Sequence, residues 1–246
     1  MNKEWDRFAQ WQLYGIDASV TICADRQPPR LSSELEAMVA ASWTAALAAR
    51  PGLFNGEVFS VDDIAPDRIT GHWTEYRRVI ARLNRPDCAA ELPVKPLAVA
   101  GLIEGPDGIV FGRRPAGAVY QPSLWQLAPA GSVDRHADRN GRIDPLVALH
   151  NELLEELGVA ANETSGAWPL CVVQHPRIDV MDLCIPMTTF LDAASIARAH
   201  RNGGNDEYPA IAVVPRSDLP GFLAAHRDSM APQVPLFLDR YLRQSV

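Results

Sequence analysis

The chain has 246 residues, 47% hydrophobic and 22% charged, with a net charge of −7 from 23 basic and 30 acidic side chains. That is enough for a real core in one large domain, or a domain with a substantial extension, and it excludes a disordered chain. The acidic balance, without a Lys/Arg run, argues against a nucleic-acid partner, and no apolar run approaches a membrane span. Met1-Asn2-Lys3-Glu4-Trp5-Asp6-Arg7 is too charged for a signal peptide, so a cytoplasmic protein is expected.

Residues 1 to about 30 give no clear pattern, and Gln27-Pro28-Pro29-Arg30 punctuates the chain. Ser32 is a good N-cap for a helix running to Ala49, which Pro51-Gly52 ends. Residues 53–61 read as a strand interrupted by a turn, 69–73 as a second strand and 74–83 as a second helix. Residues 84–96, with Pro86, Pro93 and Pro96, read as a linker. Residues 1–94 are thus expected to form a small α+β extension, and residues 95–246 a second domain.

That domain opens with a hairpin. Residues 97–104 and 109–114 flank Gly105-Pro106-Asp107-Gly108, where proline and glycine supply the turn torsions. No helix and no G-K-[ST] follow these glycines, so they do not read as a phosphate loop. Residues 125–134 read as a short strand entering a glycine turn, and 135–143 as a polar loop containing Asn140-Gly141. Asp144 caps the next helix, Pro145 takes its first position and Gly158 ends it. Residues 170–174, 179–191 and 210–214 are strand-like, and 219–226 and 235–243 helical. This order predicts a mixed sheet with helices on both faces.

The most informative stretch is Asn151-Glu152-Leu153-Leu154-Glu155-Glu156-Leu157-Gly158-Val159. Glu155 and Glu156 follow Glu152 by three and four positions. At about 100° per residue, the three carboxylates share an arc of roughly 100°. Leu153, Leu154 and Leu157, with Val147 below them, are expected to pack on the other side. Like charges this close repel unless a cation sits among them, and clustered oxygens suit a hard cation, Mg²⁺ or Mn²⁺.

The cysteines, Cys23, Cys88, Cys171 and Cys184, show no C-x-x-C spacing, which argues against zinc and a disulfide framework. Cys171 and His175 lie roughly 13 Å apart along one predicted strand, too far for a nucleophile and its base. His150 points about 160° around the helix from the carboxylates, away from a metal.

From Gly131 to Val159 the chain resembles the box of the Nudix hydrolases, G-x5-E-x7-R-E-U-x-E-E-x-G-U, where U is aliphatic. Gly131 matches the opening glycine, and Glu152, Leu153, Glu155, Glu156, Gly158 and Val159 match the second half. The spacing from Gly131 to Asn151 is longer than the pattern, Asn151 replaces the box arginine, and Ile143 stands where the earlier glutamate would, with Asp144 the nearest acid. Phe54-Asn55-Gly56, Thr74-Glu75-Tyr76 and Glu207-Tyr208-Pro209-Ala210-Ile211 with Val213-Val214-Pro215 are similar to a subgroup with an N-terminal extension, which includes nucleoside diphosphate sugar hydrolases.

The resemblance implies a Nudix-like α/β/α sandwich over roughly residues 95–245. It implies a Mg²⁺- or Mn²⁺-dependent pyrophosphohydrolase of a nucleoside diphosphate linked to another moiety, with a nucleotide sugar as first choice. Glu152, Glu155 and Glu156 would hold the metal. Glu152 or Glu155, or Glu207 in the loop before the 210–214 strand, would take the proton from water. Arg113 and Arg114 point to opposite faces of their strand, so one of them is placed to hold a phosphate. Tyr120, with Trp125, His175 and Arg177, is a candidate for the pocket wall. The partner would be a small molecule, neither nucleic acid nor membrane, and residues 1–94 would shape the pocket or form a homodimer contact. The rival reading is a non-catalytic Nudix-like nucleotide-sensing module, supported by Asn151 and the altered first half of the box. Isomerase chemistry on an isoprenoid diphosphate lacks the cysteine and histidine pattern it needs.

Overall fold

A computed structural model describes residues 11–244; the charged segment at residues 1–7 lies outside the described residues. The described residues open with strands β1 (Gln12–Gly15) and β2 (Thr21–Ala24). Helix α1 (Ser33–Ala49) follows, with the Ser32 hydroxyl accepting from the Leu35 amide as an N-cap does. Strands β3 (Glu57–Ile64) and β4 (Arg68–Glu75) form an antiparallel pair and lead into α2 (Tyr76–Asn84). Residues 53–56, expected to begin the first of these strands, are a loop instead. There Asn55 accepts from the Arg77 amide at 2.8 Å and donates to Glu75 at 3.0 Å, so it caps the start of α2 rather than extending a ladder.

The segment expected to be a linker is packed. Cys88, Leu92 and Val94 are buried with Val39 of α1 and Val79 and Ala81 of α2. The Lys95 amide donates to Ser60 Oγ, and its carbonyl accepts from the Val61 amide. Pro86 opens a 3-10 turn through Cys88, the Leu92 amide bonds back to the Cys88 carbonyl, and the apolar side chains of the segment pack with those of the two helices.

Strands β5 (Leu97–Gly105) and β6 (Gly108–Arg113) form the expected hairpin, closing at Gly105 and Gly108. Then come β7 (Trp125–Leu127), β8 (Ala130–Ser132), β9 (Asp138–Arg139), β10 (Arg142–Ile143) and helix α3 (Pro145–Leu157). After it stand β11 (Thr164–Ser165), β12 (Cys171–Gln174), β13 (Met181–Thr189), α4 (Ala193–Gly203), β14 (Ala210–Val214), α5 (Leu219–Ala225) and α6 (Gln233–Gln244). Helix α4 has no counterpart in the sequence reading, although the Asp192 side chain caps it by accepting from the Ser195 amide.

The main sheet runs β1-β12-β13-β5-β6-β14, with β11 on β13, β7 on β6 and β8 on β5. It is mixed: β13 and β5 are parallel, whereas β12/β13 and β6/β14 are antiparallel. Alternate side chains point to opposite faces of a sheet. Val99, Ile103, Leu183 and Ile185 meet Leu149, Leu153 and Leu157 of α3 and Ile196 of α4. Leu102, Phe111, Val173 and Cys184 meet Phe222 of α5 and Val234, Phe237 and Leu238 of α6. The protein is therefore α/β, with helices on both faces of a mixed sheet.

A second sheet runs β3-β4-β2-β10-β9. The N-terminal region enters both sheets, because β1 pairs with β12 and β2 pairs with β10. The Asn140-Gly141 turn between β9 and β10 has both residues at positive φ, as the sequence signal anticipated.

Candidate active site

Helix α3 is fixed at both ends. Its first free amides are met by Asp144, which accepts from the Leu146 amide at 3.0 Å, and Pro145 has no amide to satisfy. At the far end Gly158 takes a φ of 66°, and a side chain there would overlap the Ala199 carbonyl of α4. These anchors determine which face of α3 meets the sheet.

That face differs from the expected one. Leu153 and Leu157 are buried, but Leu154 is 55% exposed and Glu156 is only 2% exposed. Ala148, Leu149, Leu153 and Leu157 form one arc, and at about 100° per residue Glu156 falls near its middle while Leu154 falls well outside it. The carboxylates therefore lie in and beside the packing face, not opposite to it. Glu156 is accommodated because its Oε2 accepts from the Ala130 amide of β8 at 2.8 Å. The next residue, Gly131, lies so close to Glu152 that any Cβ would overlap the carboxylate. A side chain at Gly131 would push the Glu152 carboxylate out of its present place.

Glu152, Glu155 and Glu156 border a cavity of about 510 Å³, and Glu207 and Asp182 border it too. Arg114 is the base among the described lining residues, and its Nη2 donates to Glu207 Oε1 at 2.9 Å. Five carboxyl groups share one guanidinium, so ionising all of them would leave a large excess of negative charge. Burial, with Glu155, Glu207 and Asp134 nearby, pushes the Glu152 carboxyl up to about 7. Burial and the Glu152 charge push Glu156 well above the ordinary range, and burial moves Asp182 up to about 7. Gln126 donates to the Tyr208 hydroxyl at 2.8 Å, and Tyr208 in turn interacts with Glu156.

The donor set fits a hard divalent cation: it is all carboxylate, partly buried and short of positive charge. In the arrangement present, no three His, Cys, Asp or Glu groups among the described residues close into a metal cage. Glu156, held by Ala130, and Glu155, on the exposed side of the helix, stand on either side of Glu152 in the helical arc.

Six of the residues anticipated from sequence, Glu152, Glu155, Glu156, Glu207, Arg114 and Tyr120, border this one cavity. Arg113 does not: it is exposed on the other side of its strand, and its Nε donates to the Ser123 carbonyl. Trp125 packs on Phe222 and His226. His175 sits between Trp11 and Tyr120, where burial lowers its imidazole to about 4. Burial moves Cys171 up to about 12, which leaves its thiol inert. Asn151 is exposed.

Sequence reasoning missed Asp182, Gln126 and the wall that α2 builds with Tyr76, Val79 and Leu83. Asp182 carried a signal, since it is a single acid inside the apolar run Val180-Met181-Asp182-Leu183-Cys184-Ile185. The α2 wall carried none, because it depends on how distant segments pack.

No protein-family model matches the chain, and no curated protein does. Solved structures of Nudix hydrolases are among those similar to it. The NUDIX hydrolase from Nitrosomonas europaea is 17% identical, with 61% of this chain and 89% of that one covered at a TM-score of 0.39. DR0079 from Deinococcus radiodurans is 16% identical, with 75% and 99% covered at 0.49. A bifunctional NMN adenylyltransferase/ADP ribose pyrophosphatase from Francisella tularensis, complexed with AMP and a Mn ion, is 17% identical, with 69% and 49% covered at 0.42.

Proposed function

We propose that this protein is a Nudix-type, Mg²⁺- or Mn²⁺-dependent hydrolase that cleaves the pyrophosphate bond of a nucleoside diphosphate linked to another moiety. The observation that carries the reading is the gathering of Glu152, Glu155, Glu156 and Glu207 around one cavity, with Gly131 shaped to the Glu152 carboxylate. Gly131, Glu152, Glu155 and Glu156 are residues that the box pattern singles out, Glu207 joins them from a later loop, and so many carboxyls in one place call for a cation. A nucleotide sugar is the first substrate to test, and the cytoplasm is the expected location.

Glu152, Glu155 and Glu156 would hold the metal, which supplies charge neutralisation on the phosphate oxygens and an acidified water. Glu207 borders the same cavity, in a loop whose Asn205 amide bonds the Glu155 carbonyl of α3, and would take a proton from water, with Glu152 and Glu155 as the other candidates. Arg114 holds Glu207 now, and its guanidinium suits a phosphate oxygen pair when substrate enters. Val79 and Leu83 wall the cavity with apolar surface, which strengthens charge interactions inside it. In this reading residues 1–94 form the extension of a 95–246 catalytic domain and complete its pocket.

One observation favours the sensing module as second reading. Asn151 is exposed in place of the box arginine, so nothing at that position braces the loop before α3. The two readings are separated by incubating the protein with nucleoside diphosphate sugars, ADP-ribose and dinucleoside polyphosphates in Mg²⁺. Release of phosphate monoesters, abolished by EDTA and by Glu156→Gln, supports the hydrolase. Nucleotide binding without turnover supports the sensor.

A further inference from the structure

Asp182 has no part in the chemistry above, yet it lies in the same cavity. It sits near the start of β13, between β12 and β5, opposite Val173 and Ala98. It is 5% exposed, and its Oδ2 is buried without a hydrogen-bond partner. A carboxylate in this position is costly unless something bonds to it. No group of the described protein does so for Oδ2, and the side chain borders the cavity. The neighbouring strand is cleared for a ligand, with Ala98 and Ala100 lining the space where larger side chains would fill it. Tyr120 and Phe237 add aromatic surface to the same cavity.

The position also sets a distance. Ala98 pairs with Ser132 of β8, two residues along from Ala130, whose amide holds Glu156. Asp182 is thus two strand spacings from the segment that carries the α3 carboxylates, roughly 10 Å across the sheet. A ligand spanning the cavity would place phosphates at one end and a flat, donor-bearing group at the other, which is the layout of a nucleotide.

We infer that Asp182 is a specificity-determining residue that accepts hydrogen bonds from an amino or ring N–H group of a nucleobase. The inference rests on the proposed nucleotide substrate, but its test does not need turnover. The probes are the 5′-monophosphates of adenosine, guanosine, cytidine and uridine, with ribose 5-phosphate as the ligand that lacks a base. Calorimetry on the intact chain should show at least one nucleotide binding about tenfold or more tightly than ribose 5-phosphate. Asp182→Asn and Asp182→Leu should both lose that margin, while ribose 5-phosphate and Mg²⁺ bind as before. A margin retained in both variants overturns the inference. So does a wild-type protein that binds no nucleotide better than ribose 5-phosphate, or an equal loss for ribose 5-phosphate, which would point to sugar hydroxyls. If hydrolysis is absent but the base-dependent margin exists and needs Asp182, the catalytic reading fails while this one stands.

Discussion

Acids in two regions of the molecule are treated in opposite ways. Along and beyond α2, each has an arginine: Arg77 bonds Glu75 at 2.7 Å, Arg85 bonds Asp87 at 2.8 Å, and Arg82 bonds Asp179 at 2.6 Å. The Arg77 hydrogen bond lowers the Glu75 carboxyl, and the Arg85 hydrogen bond holds Asp87 down to about 2. Around the cavity the acids outnumber Arg114, and Glu152 and Asp182 move up to about 7. Acids that hold the fold together are neutralised by the chain itself. Acids left short of positive charge are where the proposed ligand would complete the structure.

The largest expected effect falls on the paired side. Arg82 is 1% exposed and also donates to the Arg177 carbonyl, so Asp179→Asn leaves a buried guanidinium without its counter-ion. Chemical denaturation should show a loss of about 3–5 kcal/mol. On the cavity side, Glu152→Gln and Glu156→Gln should do the reverse. They replace carboxyls that are costly to ionise in this setting, so the metal-free protein keeps or raises its melting temperature while divalent binding falls by two orders of magnitude or more. A melting temperature lowered as far as in Asp179→Asn would erase the contrast.

The pH dependence sharpens it further. Glu152 is raised from 4.5 to about 7 in the folded protein, so the folded state holds a proton that the unfolded state has released between those values. Stability of the metal-free protein should therefore fall as pH rises through that window, and thermal melts at intervals across it would show this. Saturating Mg²⁺ should flatten the slope, because the carboxylates then gain a partner when deprotonated. The smallest effect belongs to Asp87→Asn. Its partner Arg85 is exposed, and the melting temperature should not move measurably.

The sequence was most legible where local rules act. The caps Ser32 and Asp144, the turn at Asn140-Gly141, the hairpin around Pro106 and the glycine after α3 each work through their own neighbours. The box spacing likewise placed Glu152, Glu155 and Glu156 on one helix. What periodicity alone got wrong was the side of α3 that packs. Glu156, read as a metal ligand opposite the packing face, lies within that face and is held by the Ala130 amide, whereas Leu154, read as core, is exposed. The buried run around Leu92 was hidden by its prolines, and Arg113 and Arg114 were told apart only once β6 had neighbours. Asp182 was missed although a lone acid in an apolar run is a signal, and its meaning depends on the space above Ala98, which only the fold reveals.

The central claim is that the α3 carboxylates hold a divalent cation in this cavity. Calorimetric titration of the metal-free protein with Mn²⁺, beside Glu156→Gln, tests it most directly. The account predicts saturable binding that is lost in the variant while its melting temperature is maintained. Binding of equal strength in the two proteins, or none in the unaltered chain, would contradict it.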